Sequence, residues 1–216
     1  AGFRLDEYLQ NAVALTLRAL DGMTPLATAA APILQAAQLA AENGPALLAI
    51  DGRCGSGKST LAKFLAGQLG CPGVHTDDFY LPLAARCANW QEKPGANIDF
   101  ISAANEVLQP LLRGETALYN AYSCAAGAFL PSKPFAAAPL TILEEHSLHP
   151  ALQTDFAVRV FVTCPPDVQA VRLRAREGIR YANFVQRWIP LEEGYFAAHD
   201  PAARCNFVLD TAEIFV

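Results

Sequence analysis

With 216 residues, of which 52% are hydrophobic and 17% charged, the chain is long enough to bury a full core and too apolar to be disordered. Its 16 basic and 21 acidic side chains leave a net charge of −5, which argues against broad nucleic-acid binding but leaves room for a small anion in a locally basic pocket. The lack of an apolar run of about 18 residues argues against a membrane span, and six scattered cysteines without a C-x-x-C pair fit reduced thiols in a cytoplasmic protein better than a zinc site or a disulfide framework.

Apolar residues Leu5, Leu9, Val13, Leu17 and Leu20 recur at helical spacing until Asp21-Gly22. An alanine-rich helical pattern then covers 25–42 and stops at Asn43-Gly44-Pro45. Together these predict a helical extension over residues 1–45, with packing or a partner surface as its role, ahead of a domain at 46–216. Residues 46–50 form a continuous apolar run bounded by Pro45 and Gly52, as a buried parallel strand would. A glycine-rich loop and a helix at 58–69 follow. Val74-His75-Thr76 is a second strand candidate. Residues 100–113 predict a helix between Asp99 as N-cap and Gly114 as closing glycine. Ala125–Pro139, rich in alanine and proline, predicts a mobile excursion. Strands at 140–143, 157–162 and 207–209 and helices at 166–177 and 183–198 complete the pattern. Strands alternating with helices imply an α/β fold with a mostly parallel sheet.

The strongest motif is Gly52-Arg53-Cys54-Gly55-Ser56-Gly57-Lys58-Ser59, a full G-x-x-x-x-G-K-[ST] match between a strand and a helix. Backbone N–H groups at Gly52, Gly55, Ser56, Gly57, Ser59 and Thr60 can cradle phosphates at a helix N-terminus. Lys58 can reach the β- and γ-phosphates, and the Ser59 hydroxyl can hold Mg²⁺. Neither the N-K-x-D motif of GTPases nor the L-S-G-G-Q motif of ABC-type ATPases occurs. Small-molecule kinases remain as the main class, with a regulatory ATPase as the other.

Asp77-Asp78 follows the second strand, at the carboxyl end where an open α/β sheet binds its ligands. An aspartate there can take the proton of an attacking hydroxyl. Glu144 ends an apolar strand and can hold Mg²⁺ through water. Arg172 and Arg176, four apart on one helix, share a face and can stabilise charge on a transferring phosphoryl group.

The runs Ile50–Ser59, Asp77–Pro82, Asn97–Phe100, Glu106–Leu111, His149-Pro150 and Trp188–Phe196 resemble the uridine kinase-like branch of the uridine kinase/phosphoribulokinase group, over about residues 46–210. The resemblance implies a three-layer, P-loop nucleoside/nucleotide-kinase-type fold with five mostly parallel strands, an N-terminal helical appendage lying outside it. It implies ATP and Mg²⁺ as cosubstrates and a small-molecule hydroxyl acceptor, most of all a nucleoside such as uridine. Asp77 falls at the position of the catalytic base, Asp99 at that of a ribose-binding aspartate, and Tyr122 at that of an aromatic residue beside the nucleobase. Arg172 and Arg176 fall in the lid. Where the group carries Glu-Gly, this chain reads Glu144-Glu145. Another acceptor (a sugar, pantothenate or a phosphopentose) and an ATP-binding regulator are the competing readings.

Overall fold

The computed structural model describes residues 24–214, so the helical pattern at 5–20 lies outside the described residues. Helix α1, Pro25–Glu42, starts where Thr24 accepts the Ala27 N–H with its hydroxyl, and Pro25 takes the first helical position, where no N–H is needed. Strand β1, Ala46–Gly52, is buried along its whole length. Helix α2, Lys58–Leu69, and the short strand β2, Gly73–His75, follow. Beyond them come α3 at 100–112, β7 at Leu140–Glu144, β8 at Val158–Thr163, α4 at Pro166–Glu177, α5 at 181–199 and β9 at Phe207–Asp210.

The five core strands lie in the order β2-β7-β1-β8-β9, and every pair is parallel. Side-chain alternation along β1 builds the layers. Leu47 and Ala49 join Val74, Leu143 and the buried face of α3, including Val107 and Leu111. Leu48 and Ile50 join the other cluster, with Leu61 and Leu65 of α2 and Val158 and Val160 of β8. Ala30, Ile33, Ala36 and Ala37 of α1 belong to this second cluster. The described part of the N-terminal extension therefore packs on the sheet, and its alanines permit close approach.

The segment expected as an excursion leaves the sheet but is not structureless. Strand β3, Ala117–Tyr119, pairs antiparallel with β6, Lys133–Phe135, and β4, Tyr122–Ser123, with β5, Ala128–Phe129.

Helices α3 and α5 share an irregularity absent from their sequence patterns. Each has a π-helical stretch, Ala103–Leu108 and Phe184–Trp188, followed at the second residue by Pro110 or Pro190. A proline inside a helix lacks an N–H and crowds the carbonyl four residues back. The residue just before each proline instead reaches back five: Gln109 N–H donates to Ala104 O, and Ile189 N–H to Phe184 O.

Candidate active site

The loop after β1 opens at the carboxyl edge of the central strand. Gly52 has φ 132°, and a Cβ there would lie 1.9 Å from the Val162 carbonyl oxygen of β8, so only glycine lets the chain leave the sheet here. Lys58 starts α2 and is buried. Its Nζ donates to Gly52 O at 2.6 Å and Arg53 O at 2.9 Å and ion-pairs with Glu145 Oε2 at 3.2 Å. Burial alone would lower its pKa, but the carboxylates of Glu145, Glu192 and Asp51 override it and hold the ammonium above the ordinary lysine range. Ser59 and Thr60 are exposed on the first turn of the helix. The Cys54 N–H donates to Glu192 Oε1 at 2.6 Å, so one loop amide already faces an anionic oxygen. The Cys54 thiol is pushed up to about 12, by burial and then by Glu192, and stays neutral. A loop amide that takes an anionic oxygen, a cationic Nζ and a helix N-terminus form a donor set that fits a polyphosphate.

Beneath the loop lies a residue the motif does not flag. Asp51 is 1% exposed; its Oδ1 accepts the Gly52 N–H at 2.7 Å, and its Oδ2 accepts Leu148 N–H at 2.9 Å and Tyr195 Oη–H at 2.7 Å. Its sequence signals are a lone carboxylate in the otherwise apolar β1 and its place in the run Ile50–Ser59. Arg53 reaches α5 as well, through a bidentate pair with Glu193.

A cavity of about 260 Å³ opens beside the loop, lined among others by Cys54, Asp77, Glu145, His146, Arg176 and Glu192. Asp77 stands in the short 3₁₀ turn Thr76–Phe79 after β2. Its pKa is raised, first by desolvation and then by the Glu145 charge, while a hydrogen bond from Tyr80 pulls it partly back. Asp78 points elsewhere and accepts the Tyr119 hydroxyl at 2.9 Å.

Glu144, the expected metal acid, pairs with His75 rather than with Lys58. It is buried against His75 Nδ1, and that hydrogen bond raises the His75 pKa. Glu145 reaches Lys58 instead. The chain leaves β7 with Glu145 at φ 66° and His146 at φ 39°, which swings the second carboxylate over the loop. Left-handed backbone costs about 1–2 kcal/mol per non-glycine residue. It is held by Glu145 N–H donating to Ile50 O at 3.1 Å and Thr76 Oγ1 donating to Glu145 O at 2.6 Å.

No family model matches the chain. A cytidylate kinase from Azorhizobium caulinodans is 31% identical over 137 residues, covering 58% of this chain and 66% of that enzyme's length. A solved possible uridine kinase from Bacillus stearothermophilus superposes with a TM-score of 0.61 at 18% identity, over 82% of this chain and 99% of that one. A candidate fructose transport system kinase from Silicibacter sp. TM1040 gives 0.58 at 20% identity, over 87% and 100%. The chain has the P-loop kinase fold.

Within this kinase fold the remaining expected residues divide. Asp99 caps α3, accepting Ser102 N–H at 3.0 Å and Ser102 Oγ–H at 2.9 Å. It also lines a second cavity, of about 430 Å³, with Tyr80, Glu106, Asn120 and Phe129. Tyr122 packs edge-on to Phe129, ring centres 5.3 Å apart, and supports that wall from behind. Tyr80 lines both cavities, one beside Asp77 and the other beside Asp99. Glu106 opens one of the runs that carry the family resemblance, though the resemblance gives it no role, and no motif marks Asn120 or Phe129. Arg172 does not join Arg176 at the first cavity: its guanidinium donates to Thr211 Oγ1 at 2.8 Å and Thr211 O at 2.7 Å, and Thr211 Oγ1 in turn donates to Ser56 O at 2.6 Å. Arg176 lines the cavity, with its Nε on Glu177 at 2.8 Å and its guanidinium over Phe184. His149 stacks on Phe100 at 4.1 Å, and burial, with His199 and His146 nearby, pushes its pKa down to about 4, which suits packing.

Proposed function

We propose that the protein is a small-molecule kinase, transferring the γ-phosphoryl group of Mg·ATP to a hydroxyl. The observation that carries this reading is the single cavity holding a P-loop amide, Glu145, Arg176 and a carboxyl, Asp77, whose affinity for a proton is raised. Loop amides and Lys58 would hold the phosphates. Ser59 and Glu145 would hold Mg²⁺, which when bound neutralises charge on the phosphate oxygens. The acceptor oxygen forms the new P–O bond, ADP leaves with the old bridging oxygen, and Asp77 takes the hydroxyl proton. Arg176 faces the charge that develops.

The acceptor class is a small polyhydroxylated molecule, because the adjoining cavity presents Asp99, Glu106 and Asn120 beside the Phe129 ring. The ribose of a nucleoside such as uridine is one such group and the member that the family resemblance favours. Sugars, pantothenate and phosphopentoses fall in the same class. One observation favours a second reading, a cytoplasmic ATP-binding regulator: Lys58 is engaged by two loop carbonyls and Glu145.

Transfer of label from [γ-³²P]ATP to a panel of these acceptors separates the two. Kinase activity predicts labelled acceptor with the parent protein and loss of it with Lys58→Met and Asp77→Asn. Label recovered only as inorganic phosphate, at a rate Asp77→Asn leaves alone, refutes it.

A further inference from the structure

A third cavity, an apolar groove of about 550 Å³, adjoins the first two and has no role in the chemistry above. Its walls include Tyr80, Leu83, Trp90 and Trp188, and its charged members are Arg86 and Arg187. Trp188 lines this groove and the Asp77 cavity alike. The two guanidiniums lie over the same indole, Arg86 at 4.7 Å and Arg187 at 5.8 Å from the Trp90 ring centre, and Arg86 is also 5.8 Å from that of Tyr80. Trp90 is itself 8% exposed and stacks obliquely with Trp188 at 6.3 Å.

Stacking uses the faces of a guanidinium and leaves its edge N–H groups available. Among the described residues only Arg86 Nε has a protein acceptor, Leu81 O at 2.8 Å, and neither arginine forms an ion pair. In a chain of net charge −5, two cations with no carboxylate partner meet in an apolar groove next to the site of phosphoryl transfer. Apolar walls raise the value of each charge, and planar forks are suited to carboxylate or phosphate oxygens. Tyr80 fixes the geometry: its hydroxyl bonds Asp77 while its ring faces Arg86. One tyrosine side chain thus separates the base from the cations, the span of a small acceptor.

We infer that the acceptor is an organic anion, its carboxylate or phosphate group bound by Arg86 and Arg187 against the Trp90–Trp188 wall while a hydroxyl reaches Asp77. The inference rests on the kinase reading and narrows its acceptor class, which spans neutral sugars and nucleosides as well as anions, to the charged members.

The chain has two tryptophans, and both line this groove, Trp188 bordering the Asp77 cavity as well, so tryptophan fluorescence reports on this joined region and the arginine variants assign the response to the groove. Glucose, gluconate and glucose 6-phosphate provide one carbon frame as neutral, carboxylate and phosphate probes, titrated without ATP at fixed ionic strength. Gluconate, glucose 6-phosphate or both should change the emission saturably, whichever responds naming the anion, and glucose and uridine should not. Arg86→Gln and Arg187→Gln should each weaken that binding by about tenfold or more, the scale of a charge-assisted hydrogen bond. The calorimetric affinity for Mg·ATP should stay at the parent value, and the melting temperature should fall by no more than a few degrees, from the loss of the Arg86 bond to Leu81 O. Glucose binding as tightly as its charged forms, no response to either anion, or parent-like binding by the doubly substituted protein overturns the inference. If anions bind as expected but label never reaches an acceptor, the kinase reading fails alone. If uridine is phosphorylated with a KM that Arg86→Gln and Arg187→Gln leave unchanged, this inference fails alone.

Discussion

Tyr195→Phe removes one hydrogen bond from the floor of the phosphate loop and leaves the ring in place. Tyr195 is 1% exposed, so water cannot replace its hydroxyl, and its contacts with His146 and Phe196, at 5.3 and 5.6 Å between ring centres, do not involve oxygen. What is lost is the 2.7 Å bond to Asp51 Oδ2, which leaves that oxygen with the Leu148 N–H alone. A hydrogen bond to a charged group is worth about 1.5–3 kcal/mol. For a domain of this size each kcal/mol corresponds to about 2–4 °C, so the melting temperature should fall by roughly 3–12 °C. Thermal unfolding followed by circular dichroism measures the fall. Amide hydrogen exchange locates it: the Gly52 and Leu148 N–H groups that Asp51 holds should exchange faster, while those of β8 should not. In a double-mutant cycle with Asp51→Asn the two changes should be less than additive, because both break the same bond. A melting temperature within about 1 °C of the parent value would show that Asp51 does not tie α5 to the loop.

Asp77→Asn should lower phosphoryl transfer by about 10²-fold or more with ATP affinity changed only a few-fold, whereas Asp78→Asn, which loses only the Tyr119 contact, should cost less; steady-state kinetics with calorimetry checks both. The base works deprotonated, and burial together with Glu145 raises its pKa, so the acid limb of the kcat profile should lie above the ordinary carboxylate range; Tyr80→Phe removes the hydrogen bond that lowers this pKa and should move the limb to higher pH, and a move to lower pH would contradict the assignment. Gly52→Ala should abolish soluble folded protein, because its Cβ would meet the Val162 backbone at 1.9 Å, while Gly55→Ala, which meets only the Leu173 side chain at 3.0 Å, should fold with a melting temperature lowered by a few degrees. Arg172→Ala should act on stability, since it frees Thr211 from α4, and Arg176→Ala on turnover; melting temperature and kcat measured on both will show whether the two arginines divide in this way.

The parts of the fold visible in the sequence are those where one local signal decides the outcome. The apolar run at 46–50, the glycine loop and the helix start at Lys58 agree with one another, and the strand, loop and helix appear where expected. Helix 166–177 matches to the residue, between Pro165-Pro166 and Gly178. Harder to see was anything set by two distant segments. That Arg172 serves Thr211 depends on the loop after β9 folding back against α4, which helical spacing cannot reveal. That Glu145 and not Glu144 meets Lys58 turns on the left-handed backbone of Glu145 and His146. Adjacent carboxylates look equivalent in sequence until His75 claims the first and a left-handed turn swings the second towards Lys58. Arg86 and Arg187 are 101 positions apart, and only the packing of the 81–96 loop beside α5 brings them over one indole.

The backbone marks the site independently of the motif. Four non-glycine residues among those described have positive φ; Gln153 and Asp200 end helices, where left-handed caps are common, and the other two are Glu145 and His146. The two π-helical stretches likewise frame the same region: Ala103–Leu108 contributes Glu106 to the Asp99 cavity, and Phe184–Trp188 contributes Phe184 and Trp188 to the Asp77 cavity. Irregular backbone costs free energy and persists where the surrounding structure holds it. The five sheet strands carry no such feature; Glu145, His146, Phe184 and Trp188 line the Asp77 cavity, and Glu106 lines the Asp99 cavity. The stretch Ala103–Leu108 serves two ends at once, since Ala103, Ala104, Val107 and Leu108 are buried in the core while Glu106 lines the Asp99 cavity. The proline two residues past each π-helical stretch removes an N–H that a regular helix would use, and the irregular turns it accompanies carry Glu106, Phe184 and Trp188 in the cavity walls.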